Sequence, residues 1–151
     1  MTTTLITGAN KDLGQETARQ LAAARHTVYA SARDEARGYA AAEELSASFV
    51  YLDVTDDASV ATACTQIEAD GGLGILVNNA GIEPLLAGNA IPAAADETAG
   101  SMRATFETNV FGLVRVTHAF LPLLQKSDRA RRPSRHVRVR PRPGCVVSRG
   151  E

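Results

Sequence analysis

The chain has 151 residues, 44% hydrophobic and 22% charged, a composition that suits one globular domain and argues against disorder over most of its length. No uncharged stretch exceeds 12 residues (Gly71–Ile82 and Pro84–Ala95), short of the ~20 needed to cross a bilayer, and Met1-Thr2-Thr3-Thr4 offers no basic leader of a secretory signal. The net charge of −1 conceals an asymmetry: residues 1–128 carry a net −8, whereas residues 129–151 carry eight arginines against one acid, a net +7.

In chain order, Thr2–Thr7 is short, β-branched and apolar, and runs into Gly8 as a buried strand runs into a turn. From Leu13 the period becomes helical, with Leu13, Thr17 and Leu21 on the face expected to be buried, beside Ala18 and Ala24. Thr27–Ala32 reads as a second strand, and Asp34 caps an Ala/Glu-rich helix reaching about Leu45. Phe49–Leu52 is the third strand. Asp56 or Asp57 opens a helix with Val60, Ala63, Cys64 and Ile67 on one face, closed by Gly71-Gly72. Ile75-Leu76-Val77 shows no polar alternation and is expected to be buried on both faces as the fourth strand. An Ala/Gly/Pro-rich loop from Gly81 to about Asp96 precedes the longest helical pattern, carried by Phe106, Val110, Leu113, Val114, Thr117, Phe120, Leu121 and Leu124.

Strands alternating with helices predict an α/β protein with a doubly wound parallel sheet, four strands in the order 3-2-1-4. In such sheets ligands sit beyond the carboxyl ends of the strands. The turn after the first strand, Thr7-Gly8-Ala9-Asn10-Lys11-Asp12-Leu13-Gly14, leads directly into a helix, where glycines and free N–H groups admit a pyrophosphate. Asn78-Asn79-Ala80-Gly81 follows the fourth strand and Leu52-Asp53-Val54-Thr55 the third, where an acid also serves simply to cap the next helix. Thr108-Asn109-Val110-Phe111-Gly112 places a polar Asn in an apolar helix, and a buried Asn needs partners. His26, His118 and His136 share no ligand spacing, and Cys64 and Cys145 neither build a disulfide framework nor match a metal site, so a cytoplasmic protein without metal is expected.

Together these segments resemble the short-chain dehydrogenase/reductase family over residues 1 to about 128. The family's T-G-x-x-x-G-x-G turn matches Thr7, Gly8 and Gly14, its N-N-A-G motif is complete at Asn78–Gly81, its adenine-binding acid matches Asp53, and the Asn of its catalytic tetrad matches Asn109. Asn10-Lys11 with Ala32-Arg33-Asp34 is most similar to carbonyl-reductase-like members. The resemblance implies an incomplete Rossmann domain whose cofactor contacts are Thr7, Gly8, Asn10, Lys11, Leu13, Gly14, Arg33, Asp53, Val54, Asn79, Ala80 and Gly81. It also implies hydride transfer between a nicotinamide and a small carbonyl or alcohol substrate.

Coenzyme choice follows from charge. An acid after the second strand would hold a ribose 2′-hydroxyl and repel a 2′-phosphate; here that strand ends in Arg33, and Lys11 stands in the glycine turn, so NADP(H) is expected over NAD(H). Position 12, the middle glycine of the motif, is Asp12. At an effective dielectric of ~20, its charge about 5 Å from a phosphate costs roughly 3 kcal/mol, about a hundredfold in affinity, so Asp12→Gly is expected to tighten NADPH binding.

The family donates the proton from a Tyr whose pKa is lowered by a Lys four residues on, with a Ser orienting the carbonyl. Four residues beyond Tyr29, Tyr39 and Tyr51 stand Arg33, Glu43 and Thr55, so no Y-x-x-x-K exists, and Asn109 alone remains of the four catalytic positions. The chain by itself is expected not to turn over. After Asp128 comes an Arg/Pro-rich run to Glu151, expected to be disordered or out of frame, since GC-rich coding read in another frame favours Arg, Pro, Gly and Ala. Eight arginines also suit a nucleic-acid-binding arm, but without aromatic residues for stacking that reading is the weaker. A noncatalytic dinucleotide-binding or interaction protein is the competing function, and a homo-oligomer is compatible with either. With no fifth strand against its fourth, the sheet is expected to be marginally stable.

Overall fold

The computed structural model describes residues 1–83, 93 and 97–127. Most of the loop read between Gly81 and Asp96, and everything from Asp128 onward, including the Arg/Pro-rich run, lie outside the described residues.

Four parallel strands, β1 (Thr3–Ile6), β2 (Thr27–Ala32), β3 (Ser48–Tyr51) and β4 (Ile75–Val77), form one sheet in the order β3-β2-β1-β4, as expected. The register sets Thr4 against both Val28 and Ile75, so β1 is central and β4 is an edge among the described residues. Helices α1 (Asp12–Ala23), α2 (Glu35–Leu45) and α3 (Asp57–Ala69) cross between strands. Alternation along β1 and β2 gives each face its own core. Leu5 and Tyr29 join Val50, Val60, Ile67, Val116 and Phe120 on one face, while Ile6, Val28 and Ala30 join Ala18 and Leu45 on the other.

Side-chain caps start α2 and α3 where the sequence places them. Asp34 accepts the Arg37 N–H at 3.0 Å, and Asp56 accepts those of Ala58 and Ser59 at 3.1 and 3.2 Å. Gly71 and Gly72, both at positive φ, close α3 by donating to the carbonyls of Glu68 and Ile67. Gly38 is required by packing, because a Cβ there would enter the Phe49 ring, against which Tyr39 also lies with centroids 4.4 Å apart.

Three expectations fail. Leu13 is 78% exposed; the inner face of α1 is Gly14 and Ala18, small residues that bring the helix close to the sheet. The β4 residues are half-buried rather than buried on both faces, because β4 has a neighbour on one side only among the described residues. The long helix is composite: α4 (Ala99–Phe106), started by a reciprocal Thr98–Ser101 capping box, then a π-helical turn over Glu107–Gly112, then α5 (Leu113–Lys126). Its buried stripe is Thr108, Gly112, Val116, Phe120 and Leu123, whereas Phe106, Val110, Leu113, Val114 and Leu121 are all more than 40% exposed. Gly112 decides this orientation: a Cβ there would stand 2.8 Å from Val54 Cγ2 and 3.1 Å from the Val54 carbonyl oxygen. Arg115 fixes it further, donating to Asp57 (2.6 Å), the Val54 carbonyl (2.8 Å) and Glu107 (2.9 Å).

Tyr29, 6% exposed on β2, donates its hydroxyl to Asp70 Oδ2 at 2.9 Å beyond the end of α3. Burial first, then that bond to a carboxylate, pushes its phenol up to about 12. The folded state therefore holds this proton where the unfolded chain, near pH 10, releases it. Its contribution to stability is whole below pH ~10 and is lost as pH climbs from there towards 12. In urea melts across that window, the difference between wild type and Tyr29→Phe is expected to shrink as pH rises; a constant difference would show that Tyr29 does not titrate so.

Candidate functional site

The carboxyl ends of all four strands open onto one cleft of about 500 Å³. Its walls are the turn after β1, the end of β2 with the start of α2, the β3–α3 loop, and the segment after β4. Eleven of the twelve expected cofactor residues line it: Gly8, Asn10, Lys11, Leu13, Gly14, Arg33, Asp53, Val54, Asn79, Ala80 and Gly81.

Thr7, the twelfth, is 1% exposed and stands behind the wall. Its Oγ1 accepts the backbone N–H groups of Asn79 and Ala80, each at 2.9 Å. Asn79 answers through Nδ2, which donates to the carbonyls of Thr7 (3.0 Å) and Gly8 (3.1 Å). The parallel pairing of β1 with β4 brings these residues level, and the clasp fixes the glycine turn to the segment after β4. Gly8 has φ 63°, and a Cβ on it would stand 3.1 Å from Ala80 Cα. A Cβ on Gly14 would overlap the Gly8 carbonyl oxygen and Asn79 Nδ2. Both glycines are thus imposed by close backbone packing.

The first intrahelical bond of α1 runs from the Gln15 N–H to the Lys11 carbonyl at 3.1 Å, so the N–H groups of Asp12, Leu13 and Gly14 precede it at the cleft wall. The cap residue Lys11 makes no side-chain capping bond, unlike the caps of α2, α3 and α4. That end of α1 is a positive pole at the cleft, suited to an anion.

Asp53 does not cap α3, which Asp56 does; its Oδ1 accepts from the Thr55 N–H (2.9 Å) and hydroxyl (2.7 Å), while its own N–H donates to Ser59 Oγ (2.9 Å). These bonds hold the loop residues Asp53 and Val54 against the cleft. At the β2 end, Arg33 is exposed on the rim, and Arg37, from the first turn of α2, lines the same wall. Sequence reasoning passed over Arg37. The available signal was its spacing of three from the capping Asp34, which turns the first helical turn back towards the strand end. Thr55, Ile82 and Thr108 also line the cleft, outside the twelve expected contacts.

Asn109 is exposed rather than buried and does not line the cleft. Its amide makes a two-way bond with the backbone of Ile82: Oδ1 accepts the N–H at 2.8 Å and Nδ2 donates to the carbonyl at 2.9 Å. It pins the segment beyond Gly81 to the π-helical turn. The three tyrosines all lie away from the cleft walls.

A four-stranded parallel sheet with a glycine turn, a buried clasp and an uncapped helix facing one cleft defines a dinucleotide-fold domain. Residues 2–131 match the family model for short chain dehydrogenases, and the chain belongs to this family of oxidoreductases. It is 41% identical over 150 residues to short-chain dehydrogenase/reductase 1 of Saponaria officinalis, covering 84% of this chain and 50% of that protein. It is 36% identical over 150 residues to carbonyl reductase [NADPH] 1 of Bos taurus, covering 93% of this chain and 51% of the relative. The solved structure of menthone neomenthol reductase from Mentha piperita superposes with a TM-score of 0.74 at 34% identity, over 84% of this chain and 57% of that one. The chain spans about half the length of the curated relatives it matches.

Proposed function

We propose that residues 1–128 bind NADP(H) in the cleft, as the dinucleotide-holding part of a carbonyl reductase or alcohol dehydrogenase of the cytoplasm, with the Arg/Pro-rich run 129–151 outside that domain. The observation that carries this reading is the pairing of the glycine turn with two arginines, Arg33 and Arg37, on the β2 wall, where the one acid, Asp34, is spent on capping α2 and on Arg37. The open cleft and the uncapped α1 fit such a group.

The residues divide the work. Gly8 and Gly14 let the backbone close up, and the N–H groups at the start of α1 face the pyrophosphate. Asp53, oriented by Thr55, takes the adenine side, and Arg33 takes the 2′-phosphate, to which a guanidinium bonds through two N–H groups. Asn79, its amide spent on the turn, positions rather than binds. Asn109 likewise acts as a positioning residue, through Ile82. When bound, the nicotinamide supplies or accepts the hydride, and the family's partners for it are small carbonyls or alcohols. A proton must also reach the carbonyl oxygen, and the chain has no tyrosine–lysine pair for that purpose. We therefore read the chain as holding the dinucleotide without completing the reaction. The sequence match to bovine carbonyl reductase [NADPH] supports the coenzyme assignment.

Fluorescence titration with NADPH and NADH tests the binding. Arg33→Ala is expected to weaken NADPH by about 2 kcal/mol, roughly thirtyfold, and to leave NADH within about twofold. Equal losses for both coenzymes would remove Arg33 from the 2′-phosphate. Consumption of NADPH with aldehydes or ketones at ordinary enzyme rates would reject the noncatalytic reading.

A further inference from the structure

We infer that Asp12 limits this chain's preference for a 2′-phosphorylated dinucleotide by neutralising Lys11, so that Arg33, not Lys11, carries the discrimination. The inference rests on the NADP(H) reading above and concerns the one position of the glycine turn where a carboxylate replaces hydrogen.

Along a regular helix or strand, consecutive side chains diverge. Lys11 is extended (φ −165°) and Asp12 is left-handed (φ 51°), and this change of hand brings the two together. Lys11 Nζ stands 3.5 Å from Asp12 Oδ2, with both side chains about three-quarters exposed on the cleft rim. Asp12 is also the acid in the first turn of α1, where the helix's positive end favours a negative charge. An exposed pair of this kind is weak, and its ammonium can turn towards an incoming phosphate. The Asp12 carboxylate, on the very next residue, still stands at the same rim, so the phosphate meets a negative charge beside the positive one.

The opposite rim differs. Arg37 pairs with Asp34 at 3.5 Å, the same separation as Lys11 and Asp12. Arg33 makes no ion pair among the described residues. It is the cation that a 2′-phosphate finds uncompensated.

A double-mutant cycle separates this from simple repulsion. NADPH and NADH would be titrated into the wild-type 151-residue chain, Asp12→Asn, Lys11→Ala and the double variant, with circular dichroism confirming that each is folded. Asparagine keeps the size of Asp12 and tolerates a left-handed backbone, so the turn survives. Asp12→Asn is expected to raise the ratio of NADPH to NADH affinity about tenfold. Lys11→Ala is expected to change that ratio less than about twofold in the wild-type background and to cancel the whole gain in the Asp12→Asn background. The gain is expected to fade with added salt, as exposed charges are screened.

Two results would overturn the proposal: equal tightening of NADPH and NADH by Asp12→Asn, which would mean repulsion of the shared pyrophosphate, or an equal effect of Lys11→Ala in both backgrounds. If no folded variant, wild type included, binds either coenzyme, the NADP(H) reading falls and this inference with it. A wild type that binds while the cycle shows no coupling sinks the inference alone.

Discussion

Gly14→Ala is expected to abolish dinucleotide binding and to cost the fold about 3 kcal/mol, the upper part of the range for forcing a methyl into filled space. The added carbon would overlap the Gly8 carbonyl oxygen and Asn79 Nδ2, and would lie 3.0 Å from Ala9 Cα. Two of those three atoms are backbone, so no flexible side-chain tip can yield. Relief requires α1 to move off the sheet, which opens the Ala18 contact behind it, or the glycine turn to shift from its clasp. Either movement displaces the N–H groups at the start of α1 to which the phosphates are assigned under the proposed function. Urea melts and an NADPH titration on the same preparation check both halves. A variant with unchanged midpoint and affinity would show that this close approach is not a constraint on the fold.

Thr7→Val should lose about 2–4 kcal/mol although the shape hardly changes. The Oγ1 of Thr7 is the acceptor for two backbone N–H groups, those of Asn79 and Ala80, and a methyl in its place leaves both without it. Each deserted donor costs roughly 1–3 kcal/mol where water cannot replace the acceptor, and Thr7 is 1% exposed. Thr7→Ser, which keeps the oxygen and drops a methyl, is expected to recover most of the loss. Equal melting of the valine and serine variants would show that the packing of the methyl, not the hydroxyl, matters here. Dinucleotide affinity should follow stability in this pair, because the same clasp orders the turn.

The sheet was readable because its signals are local. Runs such as Thr27–Ala32 and Ile75–Val77 are apolar or β-branched, and acids such as Asp34 and Asp56 stand where the helices start. The cleft residues were readable because a glycine turn and N-N-A-G are motifs of spacing. What escaped depends on which of two plausible faces the tertiary structure covers. The long helix carries apolar residues almost all round, and the choice falls to Thr108 and Gly112, too small to stand out in a hydrophobic pattern. Leu13 misled for the complementary reason: the position that meets the sheet had to be Gly14, so the larger neighbour was turned outward. Arg37 escaped because its one signal, the spacing of three from the capping Asp34, shows its place on the cleft wall only once the first turn of α2 is seen to face the end of β2.

The clasp between Thr7 and Asn79 joins residues more than seventy positions apart, and it has a temporal consequence. During synthesis β1 emerges before β4, yet the turn that follows it lacks its fixing bonds until β4 has left the ribosome and docked beside it. Long-range pairings of this kind form late, after the loop entropy between them has been lost. The proposed coenzyme site is therefore not formed while the chain between β1 and β4 is still growing. Were the dinucleotide bound as proposed, it would select and hold only the species in which β4 already lies beside β1.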